Sequence, residues 1–159
     1  MADYFEILPL LGVGPLRFGM SPAEVAAQLG PPDISRRTML KKLGESRGWI
    51  ATMYEKETDR LTEVGFSRFV ENLTYGGANI FKDPDRSVLQ KLCKEDGEPY
   101  QAYGFVVLLN LGITLTGFHD GNEDQKACTV FARGTWGIEK DGLKPFKLSG
   151  AEKRCGKNK

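Results

Sequence analysis

The chain holds one histidine, His119, and three cysteines, Cys93, Cys128 and Cys155. Any Ser-His-Asp or Cys-His nucleophilic arrangement would have to use that imidazole. His119 and Asp120 fall just past a stretch that reads as a strand, where a site can sit, although a polar strand-end residue is the commoner occupant. The cysteines lack CxxC spacing, and one histidine beside them makes no zinc pattern. Asp120, Asn122 and Asp124 alternate as in a calcium loop, but Gln125 stands where that loop needs glycine and Phe131 where it needs a bidentate glutamate. Gly12, Val13 and Gly14 run into Pro15 and make a turn, not a dinucleotide loop. Glu123 and Asp124 are exposed by pattern, with nothing to bury and retune them for acid–base work. No metal, cofactor or catalytic residue is therefore expected. The alternative is a small-molecule-binding module or enzyme using His119, with Tyr54 and Tyr103 beside it.

Those residues need elements to hold them. Residues 12–20 are rich in turn formers and lead to a marked helix start. Ser21 is the N-cap, Pro22 takes the first helical position, and Glu24 completes a capping box. Val25, Ala26 and Leu29 give the helix an apolar stripe, and Gly30, Pro31 and Pro32 stop it. Residues 33–47 are polar and basic, with Arg36, Arg37, Lys41 and Lys42, and read as a loop or a second short helix. Strands are expected over residues 49–55 and 61–69, joined by a charged hairpin loop at 55–60, with a weaker strand at 70–75. Asp83 is an N-cap candidate before Pro84. Val88, Leu89, Leu92 and Cys93 line the helix that follows. Residues 103–109, 113–118 and 127–133 read as strands.

This order repeats. Ser21-Pro22 aligns with Asp83-Pro84, and residues 61–66 align with 113–118, where Thr, Gly and Phe are identical. The expected fold is α+β, two tandem helix-plus-antiparallel-sheet modules over residues 1–75 and 76–138 forming one continuous body. Residues 139–159 form a basic tail expected to be flexible. The formal charge of +1 divides into −4 over residues 1–139 and +5 over residues 140–159. The tail has one aromatic residue, Phe146, and no nucleic-acid module, so nucleic acid is not an expected partner. The longest apolar run, 105–109, is far short of a membrane span. The first residues show neither a basic segment nor an apolar run, so a cytoplasmic protein with free thiols is expected.

Residues 19–32, from Gly19-Met20-Ser21-Pro22 through Gly30-Pro31-Pro32, resemble the opening of a module found in small outer-membrane assembly lipoproteins and, doubled, in the β-lactamase inhibitory protein. The longer pattern is similar to a family of bacterial immunity proteins for secreted polymorphic toxins. It comprises residues 79–84, 96–99, 111–113, 117–120, 123–125, Val130 and Phe131. The resemblance spans residues 12–136. It implies a two-module fold and a cytoplasmic protein that neutralises a cognate toxin, a nuclease or a type VI secretion effector among them, by blocking its active site. The lipoproteins' signal sequence and lipidated cysteine have no counterpart here. The expected partner surface joins the first hairpin loop, with Glu55 and Asp59, to the later loop, with His119, Asp120, Glu123 and Asp124. Tyr54 and Tyr103 are its aromatic anchors.

Overall fold

A computed structural model describes residues 5–135 and 142–148. The chain begins with β1 (Phe5–Leu8), then a hairpin of β2 (Gly12–Val13) and β3 (Leu16–Arg17), then helix α1 (Pro22–Leu29). A four-strand meander follows: β4 (Ile34–Arg37), β5 (Leu43–Arg47), β6 (Ile50–Tyr54) and β7 (Leu61–Ser67). The same order then recurs. A hairpin of β8 (Leu73–Tyr75) and β9 (Ala78–Asn79) leads to α2 (Asp85–Asp96), and a second meander runs through β10 (Tyr100–Ala102), β11 (Phe105–Leu108), β12 (Ile113–Thr116) and β13 (Ala127–Phe131). The short strand β14 (Lys144–Pro145) adds to the edge beside β10.

The expected balanced α+β build of two helix-plus-sheet modules does not form. Among the described residues 38% are strand and 17% helix, and the strands lie in two large sheets. Neither half keeps a sheet of its own. The meanders join through the antiparallel pair β7·β13 into one nine-stranded sheet. The hairpins flank β1 in a five-stranded sheet, with β1 parallel to β8. Two free strand edges are thereby removed from water, where an unpaired edge invites aggregation.

Several local readings also change. Residues 33–47 are neither loop nor helix but the hairpin β4–β5. Strand β4 is an exposed edge, so it never needed the apolar alternation that marks a half-buried strand. The match between residues 61–66 and 113–118 joins elements that are not counterparts. The former is the fourth strand of its meander and the latter the third, and the counterpart of β7 is β13. The stretch 103–109 is not one strand, because Tyr103 turns the chain at φ 55° with Gly104 after it.

The box at α1 forms as read. Ser21 N–H donates to Glu24 Oε1 at 2.8 Å, and Glu24 N–H donates to Ser21 Oγ at 3.2 Å. Asp83 does not cap α2, whose N-cap is Pro84. Its carboxylate accepts instead from Asn79 N–H at 3.0 Å, which ties the preceding turn.

One core unites Val25 of α1, Leu89 and Leu92 of α2, Val64, Phe66 and Phe118. Leu29 lies at the margin of this core, partly buried, and not inside it. Leu92→Ala is therefore expected to cost about 2–4 kcal/mol, and Leu29→Ala clearly less. Urea titrations that rank the two the other way would contradict this core. Cys93 and Cys128 are free thiols. Burial pushes Cys93 up to about 11 and Cys128 higher still. Both should resist a thiol reagent at pH 8 until urea unfolds the chain; fast native labelling of Cys128 would show the strand to be open. Cys155 lies outside the described residues.

Candidate protein-binding face

Strand alternation gives the nine-stranded sheet two faces. The row Glu45, Thr52, Val64, Val130, Ile113 and Leu108 runs across six strands in register and is buried throughout. One residue along lies the opposite row: Ile34, Ser46, Ala51, Gly65, Thr129 and Thr114. Its members from Ser46 to Thr129 are small and accessible, and the row is buried again at Thr114. They floor a trough whose first part, about 290 Å³, runs between Trp49 and Thr129. A second part, about 230 Å³, shares Ser46 and Ala51 and continues to Ile34 and Arg36 on the edge strand. At Gly65 an added Cβ would meet only Thr129 Oγ1 at 3.5 Å and Ala51 at 4.0 Å, so the floor is open above it.

Each end of the trough has a rim. At one end the β5–β6 turn presents Trp49, 59% exposed, and the turn after β7 presents Phe69, 51% exposed. Their ring centroids are 4.7 Å apart, and the Arg68 guanidinium lies 4.5 Å over the Phe69 ring. Exposed, mutually supported aromatics beside an arginine are the usual make-up of a binding hot spot. The polar loop 119–126 reaches this same rim, with Asp124 4.0 Å from Arg68. At the other end lie the β4–β5 turn and the loop 55–60, tied by the bidentate pair of Arg37 and Asp59, both contacts 2.9 Å. That guanidinium holds the Asp59 carboxyl below its usual range.

The two loops expected to form one surface therefore stand at opposite ends of the sheet. Strands β7 and β13 run antiparallel, with Ala127 opposite Ser67 and Phe131 opposite Glu63, so the loops entering them are separated by roughly 20 Å of strand. Glu55 turns inward on its own loop, accepting from Thr58 Oγ1 at 2.7 Å and Thr58 N–H at 2.9 Å; these bonds lower its pKa. Tyr54 is no surface anchor. It is fully buried, its hydroxyl donates to Glu45 at 2.7 Å, and burial chiefly pushes it up to about 12. Asp120 accepts from Asn122 N–H within its loop. Glu123 meets Lys126 at 3.3 Å, and Lys126 also pairs with Asp85 at the start of α2.

Tyr103 and His119 do come together, though away from the trough. They line a cavity of about 330 Å³ with Gln101, Phe105 and Lys144. His119 stands edge-on to Phe146, and its Nδ1 is buried without a partner. Among the described residues no group of three or more His, Cys, Asp or Glu could hold a metal ion.

Sequence reasoning missed Trp49, Phe69 and Glu63. The first two announce themselves only as aromatics beside turn residues. Glu63 lies on the trough side opposite Phe131 and Met53, and burial raises its pKa while Lys42 offsets part of the rise. A carboxyl raised on folding opposes folding above its unfolded pKa and ceases to do so as pH falls below it. Glu63→Gln should therefore raise the melting temperature at pH 7 and lose that advantage near pH 4. A gain that persists at pH 3.5 would refute the assignment.

Comparison with protein-family models, with curated proteins and with solved structures finds no match. Among the described residues no helix is long and apolar enough to cross a membrane.

Proposed function

We propose that this protein is a cytoplasmic immunity-type inhibitor that binds a cognate toxin through the trough of the nine-stranded sheet. The observation that carries the reading is the floor itself: the small residues Ser46, Ala51, Gly65 and Thr129 across four strands, in register and accessible, with an aromatic rim at one end. A stretch of sheet whose Ala51 is exposed and whose Ser46, Gly65 and Thr129 are half-buried offers small residues to an incoming surface, which suits a broad protein partner better than a small molecule, which needs enclosure. The rigid meander supplies the preorganisation that tight inhibition requires. The acidic loop at residues 120–124 adds charge to steer a partner with basic groups to the Trp49 rim.

The test begins with co-purification of the tagged chain from its native cell, followed by expression of the captured protein alone and together with the chain. Growth arrest relieved by the chain is the expected result. Gly65→Arg, which fills the trough from a position with open space above it, should abolish both binding and relief. A captured protein whose toxicity the chain leaves untouched, or full protection by the Gly65→Arg variant, would overturn the reading.

A further inference from the structure

The β4–β5 turn is the most solvent-exposed apolar feature among the described residues. Met39 is 97% exposed and Leu40 70%, and every residue of β4 beside them is exposed. Residues 34–43 include Arg36, Arg37, Lys41 and Lys42 and no carboxylate. Arg37 is held by Asp59, which fixes the hairpin to its neighbouring loop. Arg36 and Lys41 enter no salt bridge among the described residues. Residues 1–139 together carry −4 and this hairpin +4, leaving −8 on the other residues of that stretch, while residues 140–159 carry +5. The segment is thus a cationic collar around an apolar tip, on an otherwise acidic body.

We propose that this hairpin is an inserting element that enters an acidic, apolar-lined cleft on the partner protein bound by the trough. The inference rests on that reading and names the chemistry of the partner. Met39 and Leu40 would fill an apolar notch, and Arg36 and Lys41 would meet carboxylates at its mouth. Such a cleft belongs to enzymes that work with paired carboxylates, as those cleaving glycosidic bonds do. It does not belong to a nuclease, whose groove is basic to hold phosphates. The hairpin also offers directional bonds. Thr38 N–H donates to Lys42 C=O, so the alternating ladder turns the backbone groups of Ser35 and Arg37 outward from the sheet edge. An extended segment of a protein can pair with them, and a lipid surface cannot.

The experiment places a photo-crosslinking amino acid at Met39 in one full-length variant and at Ala51, on the trough floor, in another, and irradiates each in the native cell. The expected result is that both capture the same protein, with the Met39 adduct mapping to a segment of that protein rich in Asp and Glu. Arg36→Glu with Lys41→Glu should weaken binding of the captured, purified protein by about tenfold or more, and Met39→Ser with Leu40→Ser by a similar factor. Capture from Ala51 but not from Met39 would overturn the hairpin's role and leave the trough reading standing. Capture from neither would remove both. Unaltered affinity in the charge-reversal variant, or binding of the wild-type chain to phosphatidylglycerol-containing vesicles or to duplex DNA that this variant loses, would assign the cations to another surface and overturn the proposal.

Discussion

Arg47→Met is expected to destabilise the fold by about 3–5 kcal/mol. Arg47 and Glu45 sit two apart on β5 and face the core, with side chains only 8% and 7% exposed. Arg47 Nε donates to the C=O of Gly30, which ends α1, at 2.8 Å. Its Nη1 donates to Glu45 at 3.1 Å. Glu45 also accepts from the hydroxyls of Tyr54 and Thr52. Removing the guanidinium strips this carboxylate of its cation and leaves the end of α1 untied. Nη2 of Arg47 is buried without a partner, so the pair is costly even when intact. Converting both residues, Glu45→Met with Arg47→Met, should therefore recover most of the loss. Denaturant midpoints of the two variants measure this. A single variant as stable as wild type would show that the cluster is hydrated and the burial argument mistaken.

The second large effect concerns binding. Trp49→Ala and Phe69→Ala should each weaken association with the partner by about 2 kcal/mol or more, while the fold tolerates both. The two rings protect each other from water and are more than half exposed, so truncation leaves no core cavity. The double variant should lose less than the sum, because each ring orders the other. Calorimetry with the captured partner, paired with a melting curve, separates the two effects. Undiminished affinity in the double variant would move the contact away from this rim.

How much of this could be read from the residues alone depends on the range over which they act. The cap at Ser21 and Glu24 is local, and local spacing revealed it. Strands β6 and β7 were legible because one face is buried and alternation follows. The edge strand β4 carries no such mark, and its basic residues resembled a loop. Tyr54 has the sequence position of an anchor, an aromatic at a strand end; only the partner Glu45, on another strand, decides that it points inward. The trough depends on the register of five strands at once, β4 to β7 and β13, and no single segment of sequence encodes it. Asp59 and Asp124 share charge and loop position in the sequence, yet the antiparallel pairing of β7 and β13 sets them at opposite ends.

That same pairing has a consequence for synthesis. When β7 leaves the ribosome its partner β13 is 60 residues further on, from Ser67 to Ala127. At about 5–20 residues per second the wait is roughly 3–12 seconds. The nascent first half meanwhile carries an unpaired central strand, flanked on one side by a completed meander and on the other by nothing. Chaperone capture, or mispairing with another nascent chain, competes with waiting during that interval. Slowing translation between residues 76 and 127 should lower the soluble yield of a chain whose finished form is unchanged.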